Sequence, residues 1–230
     1  MTLPKDQPQN ELQTGEQRLN MSYEEFLAWS DEDTHAEWDA GEVIVFMPPI
    51  DRHQALIGFL HILLSLFANL YHLGILRVAP FEMRAQPDLP AREPDLFFLA
   101  HEHRDRLTSE RLAGAADLVI EVIAENSVAR DRADKFYEYQ EAGVREYWII
   151  DPRPGKERVD FYHLLPDGKY QAALPDAGNC YHSMVLPGFW LRIDWLWQEA
   201  LPDPLLALAE IRGLSPEAAQ ALRTTLSGNS

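Results

Sequence analysis

Cysteine is nearly absent from this 230-residue chain. With Cys180 alone there is no intrachain disulfide and no metal cluster of cysteines, a usage that suits a reducing compartment, so the cytoplasm is the expected location. Positive charge is also scarce: 20 Lys and Arg stand against 37 Asp and Glu, for a net charge of −17. That balance argues against a general polyanion binder, because affinity for nucleic acid is dominated by neutralised phosphates. The deficit is uneven, however. Residues 1–42 carry 11 acids and 2 bases, residues 43–152 carry 17 and 11, and residues 153–230 carry 9 and 7. Half of the excess therefore sits near the N-terminus, and a local basic groove elsewhere is compatible with the totals. The opening "MTLPKDQPQNELQTGEQ" lacks the basic start and apolar core of a secretory signal, and residues 1–20 read as a mobile tail. Long hydrophobic runs are limited to "LIGFLHILLSLFANLYHLGIL", residues 56–76, which His61, Ser65, Asn69 and His72 interrupt. A core helix is the expectation, with no membrane span.

The hydrophobic pattern that is present alternates between helix and strand. "SYEEFLAWSDED" opens with Ser22 three residues before Glu25, the capping-box spacing. "HAEWDAGEVIVFMPP" reads as two short strands around a turn at Asp39–Gly41, ended by Pro48 and Pro49. A long helix from Arg52 to His72, stopped by Gly74, precedes the strands "ILRVAPFEMRA" and "DLFFLA". "HEHRDRLTSERLAGA" reads as a surface loop or broken helix. "DLVIEVIA" is apolar on both faces, as a central strand would be. "SVARDRADKFYEYQEAG" follows as a helix capped by Ser127 and closed by Gly143, then "REYWIID" and "RVDFYHLL" as strands. This order implies an α/β layer fold in which the helix between "DLVIEVIA" and "REYWIID" crosses over between parallel neighbours. Leu205, Leu208 and Ile211 would dock a pair of C-terminal helices, the second capped by Ser215 with Pro216 at its first position.

Glu121 sits in the middle of "DLVIEVIA", where every neighbour favours burial. An unpaired buried carboxylate is costly, so Glu121 needs a counter-charge, a metal or a raised pKa. Asp95 opens the strand "DLFFLA". If the two strands are neighbours, their acids converge at a sheet edge and repel unless a hard cation lies between them, and such oxygen sites suit Mg²⁺ or Mn²⁺. Lys135, on the helix after the Glu121 strand, could orient an attacking water or stabilise charge on a pentacovalent phosphate.

"EPDLFFLA", "ADLVIEVIAENS" and "RDRADKFYEYQEAGVREYWIIDP" resemble the Uma-type restriction endonuclease family, a branch of the PD-(D/E)XK nuclease superfamily. The similarity runs from about Glu37 to about Leu191, and its most specific part is Asp131–Pro152. The resemblance implies a restriction-endonuclease-like core over residues 21–200: a mixed central sheet flanked by helices, with a C-terminal helical appendage over 201–230. It also implies Asp95 and Glu121 as the catalytic, metal-holding acids. Ile123 occupies the position where the superfamily usually has its lysine, and a helical lysine is thought to substitute, which maps onto Lys135. Glu37 and His53 match positions where the family tends to carry similar residues, in supporting metal or substrate roles. Ala124 and Glu125 depart from the family's usual "EVLSPST".

Structural readings stand beside these. Asp95 after Pro94 fits a strand-opening turn, and Glu121 fits a buried ion pair with Arg130, Arg132 or Lys135. Lys135 fits a surface pair with Asp131 four residues earlier. His53 fits a satisfied helix-terminal ring, and His101 and His103 an exposed loop. Tyr147 and Trp148 should point to opposite faces of a sheet as core residues, and "WLRIDWLW" should form a hydrophobic lid or dimer contact. The expected function is a metal-dependent endonuclease hydrolysing DNA phosphodiester bonds as a homodimer, built on the apolar helix or on the Trp-rich segment. The alternatives are a non-catalytic binding or assembly module and a hydrolase of small phosphoesters.

Overall fold

The computed structural model describes residues 17–30, 36–45, 51–86, 88–124, 130–226 and 228. The chain opens with β1 (Gln17–Asn20), α1 (Tyr23–Trp29), β2 (Ala36–Asp39) and β3 (Glu42–Val45). The Ser22 hydroxyl accepts the Glu25 N–H while the Glu25 carboxylate accepts the Ser22 N–H, which is the capping box anticipated from the spacing. Ala40 and Gly41 both take positive φ, 46° and 97°, between β2 and β3. Such a two-residue turn matches the twist of paired strands, and Gly41 adopts it with no Cβ to clash. Strand β3 pairs antiparallel with β1 and with β2, so β1 lies inside the segment read as a tail.

Helix α2 (Asp51–Leu70) buries Leu56, Phe59, Leu60, Leu63, Leu64, Phe67 and Ala68 at three- and four-residue steps. Among the described residues it is the one helix long and apolar enough to cross a membrane, and half of that window is buried inside the fold. Gly74 does not stop it as the sequence suggested. His72 takes the left-handed conformation at φ 53°, and Gly74 opens β4 (Gly74–Val78), where a Cβ would meet the Leu99 carbonyl oxygen at 2.2 Å. The strand expected to continue to Ala85 breaks after Val78. The short β5 (Glu82–Met83) leaves the main sheet; β6 (Leu96–Ala100) rejoins it, a 3-10 turn covers His101–Arg106, and β7 (Arg111–Leu112) pairs parallel with β5.

The elements β8 (Leu118–Val122), α3 (Lys135–Ala142), β9 (Glu146–Asp151), β10 (Arg158–Leu164) and β11 (Tyr170–Ala173) complete a six-stranded sheet of order β11-β10-β9-β8-β6-β4. Within this sheet β8 and β9 are the one parallel pair, and α3 is the crossover between them. A π-helical turn at Arg130–Asp134 precedes α3, and Gly143 at φ 86° closes it. Ser127 as cap, Glu125, Pro48 and Pro49 lie outside the described residues. Next come β12 (Cys180–His182), β13 (Trp190–Arg192), α4 (Pro204–Ile211) and α5 (Pro216–Leu226). Ala207 and Ile211 join the α2 core, and the Ser215 hydroxyl accepts the Ala218 N–H at the start of α5.

The sheet has a core on each face. Trp148 packs with α2 on one face and Tyr147 with α3 on the other, the alternation expected of adjacent strand residues. The Trp-rich segment differs from the expected lid: Leu191, Trp195 and Leu196 are buried in the α2 core, and Trp190 and Trp197 are partly buried against it. The fully buried Glu146 accepts from Trp148 Nε1 and the Tyr181 hydroxyl at 2.7 Å, and from the Met184 and Val185 N–H groups at 2.8 and 3.0 Å. Those donors replace lost hydration and fasten the segment after β12 to the sheet.

Candidate active site

The register of the sheet brings the two sequence-selected acids together. Leu96 lies opposite Ile120, so Asp95 at the entrance to β6 faces Glu121 near the end of β8. Asp95 Oδ2 accepts the Val122 N–H at 2.8 Å, and His53 Nε2 lies 3.3 Å from the same oxygen. His53 stands in the first turn of α2, so the positive end of that helix also faces the carboxylate. The turn-residue reading of Asp95 is therefore replaced by a contact with the neighbouring strand and with a distant helix.

Glu121 finds its counter-charge on α3. Lys135 Nζ donates to Glu121 Oε1 at 2.9 Å, and the Tyr139 hydroxyl, one helical turn further along, donates to the same oxygen at 2.7 Å. Lys135 Nζ also lies 3.0 Å from Glu37 Oε1, which comes from β2 in the small N-terminal sheet. Lys135 is 3% exposed, so it is no surface pair to Asp131, whose side chain lies outside the described residues. Arg132 is not the partner of Glu121 either, since it pairs with Asp160 and Asp151. Burial, followed by the Glu121 and Glu37 carboxylates, raises the Tyr139 phenol well above its ordinary value, which keeps it a donor.

Four further residues complete the arrangement and were not singled out from the sequence. Arg92, 2% exposed, grips Glu138 with Nε and Nη2, both at 2.7 Å, and reaches Asp39 Oδ2 at 3.0 Å and Glu37 Oε2 at 3.5 Å. It thereby ties β2 to α3. The Glu93 N–H donates to Glu37 Oε1 at 3.3 Å. With Tyr139 and Glu138 these residues surround the predicted five; the signals available were the spacing Lys135–Tyr139 on one helix face and the basic residue just before "EPD". His103 is elsewhere, at the opposite end of β8, where its Nδ1 lies 3.0 Å from Asp117.

Burial, then the Glu37 and Glu82 carboxylates, push the Glu93 carboxyl up to about 8, with Lys135 acting in the opposite direction. The folded chain thus keeps a proton that an unfolded carboxyl near 4.5 releases. Stability falls with rising pH wherever the native state binds more protons, so this contribution is lost between about pH 4.5 and about pH 8. Thermal denaturation in EDTA should show the decline across that window in the wild type and a flatter profile in Glu93→Gln. Equal slopes in the two chains would contradict the assignment.

Among the described residues no three His, Cys, Asp or Glu side chains converge as a metal-binding group. Two opposed carboxylates and no sulfur or imidazole cage fit a hard cation that retains several waters, as Mg²⁺ and Mn²⁺ do, better than a site enclosed by protein ligands.

The six-stranded mixed sheet flanked by helices is a restriction-endonuclease-like fold. A crystal structure described as a "putative nuclease belonging to DUF820" from Anabaena variabilis shares this fold with a TM-score of 0.61, at 16% identity, over 76% of this chain and 96% of that one. The model of the Uma2 family, described as "Putative restriction endonuclease", matches residues 23–194, and the chain belongs to that family. No curated protein matches the chain.

Proposed function

We propose that the protein is a metal-dependent endonuclease that hydrolyses phosphodiester bonds of DNA. Family and fold support a nuclease. The observation that carries the finer reading is the row across the sheet in which Asp95 faces Glu121 while Lys135 Nζ sits 2.9 Å from Glu121 Oε1. Asp95 and Glu121 would hold Mg²⁺ or Mn²⁺. When bound, the cation would supply Lewis acidity toward a phosphoryl oxygen and a lowered pKa for water. Lys135, fixed between Glu121 and Glu37, presents a positive charge for orienting the attacking water or stabilising charge that develops on phosphorus. The Tyr139 hydroxyl and the His53 ring hold Glu121 and Asp95 in position. Supercoiled plasmid should be cut in Mg²⁺ or Mn²⁺, not in EDTA, and Asp95→Ala should lose that activity. Metal binding with no cutting, but with turnover of a small model diester, would favour the small-phosphoester hydrolase; neither binding nor turnover would favour a non-catalytic module.

The reading includes a homodimer, since cutting two strands calls for two sites. With the Trp-rich segment packed against the α2 core, the other of the two expected surfaces is the α2 face, where Ile62 is 51%, Leu66 36% and Leu70 56% exposed. No Asp, Glu, Lys or Arg occurs from His53 to Leu76, so two copies of a strongly acidic chain could meet there without charge repulsion. Wild type should sediment as a dimer and Ile62→Glu as a monomer of unchanged melting temperature. A wild-type monomer at micromolar concentration would remove the dimer from the account.

A further inference from the structure

The site has acids and a buried lysine but, in a chain of net charge −17, needs something to hold a polyanion beside it. The sheet end that carries Asp95 and Glu121 also carries the turn between β9 and β10. Because β8 and β9 are parallel, with Glu121 opposite Ile149 and Ile149 opposite Asp160, the residues Asp95, Glu121, Ile149 and Asp160 form one row on one face. Asp151 and Arg158 are paired one step nearer the sheet end, on that same face.

Basic side chains gather at this place. From Asp151 to Asp160 the chain carries Arg153, Lys156 and Arg158 against Asp151, Glu157 and Asp160, and Arg132 adds a fourth base. Arg132, three residues before Lys135, leans across from the π-helical turn to Asp160 at 2.5 Å. Asp151 holds Arg153 with two contacts of 2.8 Å, and Asp160 Oδ1 holds Arg158 Nε and Nη2 at 2.9 and 2.6 Å. These carboxylates fix the guanidinium groups in place, and the Asp160 contact raises the Arg158 guanidinium further above its ordinary value. Arg158 is 63% exposed and Lys156 is exposed as well. Two strand spacings separate the cluster from Glu121, roughly 10 Å laterally. That places the cluster beside a backbone phosphate close along the strand to the one being cut.

We propose that Arg153, Lys156 and Arg158, with Arg132 behind them, form the phosphate-backbone contact that seats a nucleic-acid strand against Glu121. The inference rests on the nuclease reading and adds where the substrate's backbone is gripped. Such contacts orient the duplex without reading its sequence.

The test is binding of a fluorescent 20-base-pair DNA duplex by anisotropy in EDTA, over a salt series. It compares wild type, Lys156→Ala/Arg158→Ala and the charge-preserving Lys156→Arg/Arg158→Lys. Both positions are exposed, so folding is retained, and equal melting temperatures check this. Each lost phosphate contact lowers the slope of log affinity against log salt by about 0.9, so the alanine pair should lose about two in slope and the charge-preserving pair almost nothing. Mn²⁺ affinity should be the same in all three. An unchanged slope in the alanine pair, or a wild type that does not bind the duplex at low salt, overturns the proposal. A reduced slope in a protein that neither binds Mn²⁺ nor cuts plasmid would uphold the backbone contact while removing the nuclease reading.

Discussion

Glu121→Gln should cut plasmid at least about a hundredfold more slowly than wild type while melting within a few degrees of it. The amide keeps an oxygen where Lys135 and Tyr139 donate, at 2.9 and 2.7 Å, and Lys135 keeps the Glu37 carboxylate at 3.0 Å as counter-charge, so the packing of α3 on β8 survives. What disappears is the negative charge opposite Asp95. A metal's stabilisation of transition-state charge amounts to several kcal/mol, and about 1.4 kcal/mol is tenfold in rate, which sets the scale of the loss. Plasmid nicking over a protein dilution series, beside thermal melts, measures both quantities. A Gln variant that cuts at the wild-type rate would remove Glu121 from the chemistry and leave it a structural partner of Lys135.

Arg92→Met should destabilise the chain by about 3–5 kcal/mol, the range for removing one partner of a buried ion pair. Methionine fills much of the volume but leaves Glu37, Glu138 and Asp39 without the cation that gathers them. For a chain of this length each kcal/mol corresponds to roughly 2–4 °C, so the melting temperature should drop by about 10 °C. Urea denaturation gives the free energy directly. Since Arg92 joins β2 to α3, the loss should also loosen Glu37 from Lys135 and weaken any activity beyond what stability alone explains. A change below about 1 kcal/mol would mean that the N-terminal sheet is held mainly by the Trp38–Ala91 bridge and the Tyr23–Glu82 contact.

Much of this fold follows from patterns of short range. The apolar run with Glu121 at its centre gave the central strand, and the Ser22–Glu25 spacing gave a capped helix. Gly143 marked the end of α3 because a left-handed residue is needed there. Residues whose role depends on distant partners were harder to read. Gly74 looks like a helix stop, but it is required where β4 passes the Leu99 carbonyl. Trp190–Trp197 looks like an interface because large aromatics favour interfaces and cores alike, and only the location of the α2 face decides between them. In the site, Asp95, Glu121 and Lys135 were legible through motif and resemblance. Arg92 was not, since a charged residue beside a turn-rich stretch reads as surface until three carboxylates from separate elements are seen around it. Tyr139 was equally hidden, because an aromatic at helical spacing is read as core, which it also is.

The most direct test is calorimetric titration of Mn²⁺ into wild type and Glu121→Gln, with plasmid cleavage scored on the same samples. Wild type should bind Mn²⁺ and cut plasmid, and the variant should do neither. A wild type that binds no Mn²⁺, with Glu121 still paired to Lys135, would contradict the metal-dependent nuclease reading.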